Sequence, residues 1–88
     1  MHDVEFVGDT LTQMGLLPEE IWPKAIRELG MAAADPWNHQ RRPEEPWDPD
    51  DFSRSVFFDD FAGRLTFTIR DDLEMLFVTD VEWLGWLD

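Results

Sequence analysis

The sequence contains no cysteine and no tyrosine, a single lysine (Lys24), two serines (Ser53 and Ser55) and two histidines (His2 and His39). Without cysteine there are no disulfides, thiolate zinc sites, iron–sulfur clusters or cysteine nucleophiles, so the core must hold without covalent staples. No apolar run approaches the roughly 18 residues that a membrane span needs. The opening Met1-His2-Asp3-Val4-Glu5 lacks the basic-then-apolar order of a signal peptide, so a cytoplasmic protein is expected. No glycine-rich phosphate loop, GxSxG or HExxH pattern occurs.

Basic residues are scarce as well. Seven Lys and Arg stand against 20 Asp and Glu, a formal charge of −13 on 88 residues. That field repels nucleic acid and anionic lipid and attracts basic surfaces, which excludes direct nucleic-acid or membrane binding and favours a basic partner. The charge exceeds the magnitude of about 2 to 8 that serves solubility in a small domain. Residues 71–88 hold six acids and no base, and Glu44 to Asp60 holds seven acids against Arg54.

At this length the chain forms one domain, residues 1–88, with one core and no cavity for a large cofactor; no cofactor and no metal is expected. Leu17 to Ala34 has Trp22, Ala25, Ile26, Leu29 and Ala33 at helical spacing, which predicts a helix over about 18–34, or one starting at Pro23 after a short turn. Asp3 to Met14 repeats the pattern with Val4, Val7, Leu11 and Met14, interrupted by Gly8. Residues 35–53 hold Pro36, Pro43, Pro46 and Pro49 and read as a Pro- and acid-rich loop; in a polyproline II run, Glu45, Asp48 and Asp51 would share one edge.

The final third reads as strands. Arg64 to Arg70 alternates strictly, with Leu65, Phe67 and Ile69 on one face. A two-residue Asp71-Asp72 turn sets Arg70 opposite Leu73, Phe67 opposite Leu76 and Leu65 opposite Val78, leaving Thr66, Thr68, Met75 and Phe77 outward. A strand through Val56, Phe57 and Phe58 joins by the turn Asp59 to Gly63, and Val81 to Leu87 forms a fourth strand or a helical turn. The expected architecture is α+β, with N-terminal helices packed on a three- to four-stranded antiparallel sheet, a C-terminal β-meander.

The paired carboxylates Asp50-Asp51, Asp59-Asp60 and Asp71-Asp72 fall at predicted turns, where aspartate bonds the local backbone, and this reading outweighs acid–base catalysis. Asp48, Asp50 and Asp59 match positions 1, 3 and 12 of a calcium loop, but Phe52 and Ser53 occupy the places of a ligand and of the required glycine. Trp83 and Trp86, near the C-terminus, either dock onto the sheet or face a partner, docking being favoured. What remains is an anionic array on stiff or tight elements, Glu44, Glu45, Asp48, Asp50, Asp51, Asp59, Asp60, Asp71 and Asp72, with Trp47 as an apolar anchor.

In size, charge and lack of catalytic inventory the chain resembles the small phage-encoded antidefence proteins, anti-CRISPR proteins and DNA mimics among them, a likeness of physical class. The resemblance implies a non-enzymatic inhibitor that occludes the basic nucleic-acid-binding surface of another protein. The alternatives are an immunity protein or antitoxin against a basic nuclease toxin, and a small structural protein that self-associates, for example as a homodimer, through Met75 and Phe77 or the Trp83 and Trp86 tail.

Overall fold

The computed structural model describes residues 2–38 and 52–87. It is α+β, as the segregation of patterns predicts. The chain runs through strand β1 (Asp3–Phe6), helix α1 (Thr10–Gly15), helix α2 (Trp22–Ala34), a 3₁₀ turn (Pro36–Asn38), then β2 (Ser53–Phe58), β3 (Gly63–Arg70), β4 (Met75–Trp83) and a closing 3₁₀ turn (Leu84–Leu87). The sheet order is β1-β4-β3-β2. The meander β2-β3-β4 is antiparallel, but β1 lies parallel to β4, so the sheet is mixed rather than wholly antiparallel.

The first correction lies in residues 3–14. The 4-7-11-14 spacing suggests one helix, yet Val4 and Phe6 alternate with the exposed Asp3 and Glu5, and they pair with Leu76 and Val78. Gly8 separates strand from helix because its φ of 59° lies in the left-handed region that a continuing helix cannot use. Thr10 opens α1 and ties it to the sheet: its hydroxyl lies 2.7 Å from the Val7 carbonyl oxygen and 3.2 Å from that of Val78.

Helix α2 starts at Trp22 with Pro23 inside its first turn, where the missing N–H is not needed, and the Pro18 carbonyl accepts from Ile21 and Trp22 in the turn ahead. Its buried stripe is Ala25, Leu29, Ala32 and Ala33, continued upstream by Ile21, whereas Ile26 faces outward. The alanines let the helix lie close against the sheet. The core between them is completed by Met14, Val56, Phe58, Leu65, Phe67, Ile69, Leu76, Val78 and Val81.

The β3–β4 connection is longer than the expected two residues. Asp71 to Glu74 form the turn, with Glu74 in the left-handed region, so Arg70 faces Met75 rather than Leu73, Ile69 faces Leu76 and Phe67 faces Val78. A shift of two residues preserves the faces, so Leu76 and Val78 still point into the core. A bulge between Thr66 and Phe67 then brings Val81 opposite Leu65. The tail makes no separate fourth strand: residues 81–83 continue β4, Leu84–Leu87 form a 3₁₀ turn, and the fourth strand of the sheet is β1. Of the predicted 35–53 loop, residues 39–51 lie outside the described residues, including the polyproline II edge and Trp47; Pro36–Asn38 form a turn and Ser53 already belongs to β2.

Candidate protein-binding surface

Glu44, Glu45, Asp48, Asp50 and Asp51 lie outside the described residues. The four other candidate carboxylates sit at opposite ends of β3, the Asp59-Asp60 turn before it and the Asp71-Asp72 turn after it. The eight residues of β3 lie between the pairs, about 26 Å of strand at 3.3 Å per residue. The structure therefore brings them together in pairs and not in one array.

Two of the four, Asp71 and Asp59, tie distant segments together, and a third, Asp72, pairs within its own turn. Asp71 contacts the His2 ring (Oδ1 to Nε2 2.7 Å) and accepts from Trp37 Nε1 (2.9 Å), joining the segment before β1 and the 3₁₀ turn after α2 to the β3–β4 turn. Trp37 in turn lies edge-on to Phe52 and under the Arg54 guanidinium, 5.0 Å from the ring centroid. Asp72 accepts two bonds from Arg70, which hold its carboxyl below the usual aspartate value. At the other end Asp59 accepts from Trp83 Nε1 (3.1 Å) and from Lys24 (3.0 Å). Asp60 is exposed beside it.

Asp59 is also held below the ordinary value, chiefly by the Trp83 hydrogen bond and next by that of Lys24, with slight desolvation opposing them. A carboxyl whose folded pKa is depressed contributes stability that is present above its unfolded pKa and lost as pH falls through the folded one. Acid titration followed by tryptophan fluorescence is therefore expected to show a step below 3.8, the ordinary value. Asp59→Asn keeps an acceptor for Trp83 and removes the titration, so the step should vanish; its persistence would assign it to another group.

The sheet face away from the helices is set by the register. Asp3, Glu5, Asp80 and Glu82 share it with Met75, Phe77, Arg64 and Arg70, while the small hydroxyls of Ser55 and Thr66 pair at 3.3 Å beneath them. Arg64 is bonded to both oxygens of Glu82, and Arg70 to Asp72. The basic groups of this face are thus neutralised by its own acids, and the face is anionic.

An apolar groove at the Asp59 end was not legible as a site. It encloses about 510 Å³, lined chiefly by Phe57, Phe61, Val81, Trp83, Leu84 and Trp86. Trp83 docks as favoured, half-buried and bonded to Asp59, whereas Trp86 stays partly exposed and meets it edge-on at 6.2 Å between centroids. Gly85 permits this, since a Cβ there would meet the Trp83 ring at 2.3 Å. Phe61 is 73% exposed and leans on Phe57 at 5.1 Å. The available signal was an aromatic residue inside an Asp-Asp-Phe-Ala-Gly turn. Among the described residues no group of three His, Asp or Glu side chains is placed to hold a metal, and no helix is long and apolar enough to cross a membrane.

No protein-family model and no curated protein sequence matches the chain. Solved structures do. The isolated E. coli RelE toxin superposes with a TM-score of 0.75 at 14% identity, over 94% of this chain and 84% of that one. The fold is that of the RelE toxin. A chain of the intact E. coli RelBE toxin–antitoxin complex gives 0.74 at 14% identity over 94% and 96%, and one of the archaeal RelE–RelB complex from Pyrococcus horikoshii gives 0.65 at 10% over 96% of both. At these identities the likeness to RelE is one of backbone architecture, and the charge of the surface is this chain's own.

Proposed function

We propose that this protein is a non-catalytic acidic partner of the toxin–antitoxin kind, built on the RelE-like fold, that neutralises a basic nucleic-acid-binding protein by covering its basic surface. The observation that carries the reading is the anionic open sheet face, on which Arg64 and Arg70 are already engaged by Glu82 and Asp72. A phosphodiester backbone needs free Lys or Arg donors, and a chain of charge −13 repels it. A basic protein surface meets the opposite field and is steered towards it. That two of the structural neighbours are toxin–antitoxin complexes supports a protein partner.

The candidate contacts are Asp3 and Glu5 of that face with Glu44, Glu45, Asp48, Asp50, Asp51 and Asp60, and Trp47 as anchor; Asp59 and Asp71 contribute charge while holding the fold, and Asp72 is paired with Arg70. Capture from host lysate across a salt series, with and without nuclease treatment, tests the reading. The expected result is one nucleic-acid-binding protein, released as salt rises, indifferent to nuclease and displaced by its own DNA or RNA. Reversing Asp3 and Glu5 on that face together with Glu44 and Asp60 to lysine should weaken that complex about a hundredfold, at a few tenths to one kcal/mol per exposed charge pair, without altering the melting temperature. Unchanged affinity would overturn the assignment.

The superposition on the isolated RelE toxin favours a second reading, that the chain is itself the toxic partner. Growth arrest on expression of the chain alone, together with RNA cleavage by the pure protein, would select it over the first.

A further inference from the structure

The sheet ends on two outer strands, β1 and β2, and their open sides differ. On β2 the Ser53 carbonyl accepts from the Arg54 guanidinium at 2.7 Å, and α2 packs against the strand, with Lys24 and Arg27 over the cleft beside Phe57 and Phe58. On β1 the ladder is one-sided. The Asp3 N–H donates to the Glu74 carbonyl at 2.9 Å and the Val7 N–H to that of Val78 at 3.0 Å, so the odd-numbered residues of this parallel pair bond β4. The N–H and C=O groups of Val4 and Phe6 point the other way, and among the described residues nothing pairs with them. Their side chains are half-buried against the core, so the edge carries an apolar shelf beside an open ladder.

Charge selects what can add there. Asp3 and Glu5 project from the other face of β1, both exposed, and among the described residues their carboxylates make no hydrogen bond or ion pair. Further acids stand at either end of the strand, Glu74 beside Asp3 and Asp9 past Gly8. Across the same face the first base is Arg70, two strands away and held by Asp72, while His2 is held by Asp71. A second copy adding β1 to β1 would set these carboxylates against their own kind, and like charges on neighbouring strands destabilise a pair. Asp3 and Glu5 stand about 6.6 Å apart along the strand, the i, i+2 spacing that an extended chain presents on one face and a helix does not. We infer that β1 is the edge on which the basic partner is gripped: an extended segment of it adds as a fifth strand, its backbone bonded to Val4 and Phe6, its apolar side chains over those two residues and its alternating Lys or Arg on Asp3 and Glu5. This rests on the proposal of a basic protein partner and names the mode of contact.

A short capped peptide alternating Lys and Val, titrated into the intact protein at physiological salt, tests the inference through backbone amide shifts and hydrogen exchange. The expected result is protection of the Val4 and Phe6 amides from exchange. Binding should weaken at least about tenfold when the peptide's backbone amides are N-methylated, and by a similar factor in the variant Val4→Pro. Proline at position 4 removes an N–H that faces away from β4, so it breaks no bond of the sheet and leaves every charge in place. A thermal melt confirms that the variant folds, and the N-methylated peptide probes the same contact on the unaltered protein. Equal binding of the N-methylated peptide, and of the parent peptide by Val4→Pro, would overturn the added strand and leave the basic-partner reading standing. Serine in place of lysine without loss of affinity would overturn the charge argument and weaken that reading too. No binding, shifts confined to other parts of the surface, or self-association that Val4→Pro abolishes would overturn the inference outright.

Discussion

Phe67→Ala is expected to destabilise the protein by about 3–5 kcal/mol, the range for truncating a buried aromatic where neighbours collapse incompletely. Phe67 has no exposed surface and sits on β3 at the bulge, opposite Val78 and between Ile69 and Leu65. For a chain of this length the whole stability is roughly 4–13 kcal/mol, so the variant stands near or beyond the limit of folding. Urea denaturation followed by circular dichroism checks it: the midpoint should fall sharply with little change in slope. A loss under 1 kcal/mol would mean that Phe67 is not at the centre of the core.

The second large effect belongs to Gly63→Ala, which connects the core to the groove. A Cβ on Gly63 would stand 2.2 Å from the Phe58 ring, and Phe58 is itself buried between β2 and α2. The ring has to move into a filled core, an overpacking that costs about 1–3 kcal/mol or more. The same residue lines the groove, so the variant should both lower the denaturation midpoint and disturb Trp83 fluorescence. Phe58→Leu added to Gly63→Ala should recover part of the loss, making the pair less than additive. Strict additivity in this cycle would refute the contact.

The elements that could be read from the sequence are those whose apolar period agrees with their burial. Leu65, Phe67 and Ile69 alternate and all face the core; Ala25 and Leu29 repeat at helical spacing and do the same. Where the two disagree, the reading fails. Val4 belongs to both a helical and an alternating pattern over a stretch too short to separate them, and the decision falls to Leu76 and Val78, more than 70 residues away, which pair with β1. The Asp71-Asp72 pair has the look of a tight turn and predicts a β3–β4 register two residues short, whereas Glu74 takes the left-handed position that closes a four-residue turn.

The candidate site divides in the same way. That the surface is anionic follows from composition, because the sum of charges does not depend on how the chain folds. Which carboxylates are available does depend on it. Asp71 is engaged by His2 and Trp37, from 69 and 34 residues away, and Asp59 by Trp83 and Lys24, from 24 and 35. No local spacing encodes such pairs. The sequence alone therefore determined the class of the fold, the strands of the meander and the sign of the field, since periodicity and charge are local or additive. The tertiary structure decided the parallel first strand, the separation of the aspartate pairs and the apolar groove, because each arises from residues that only the closed chain brings into contact.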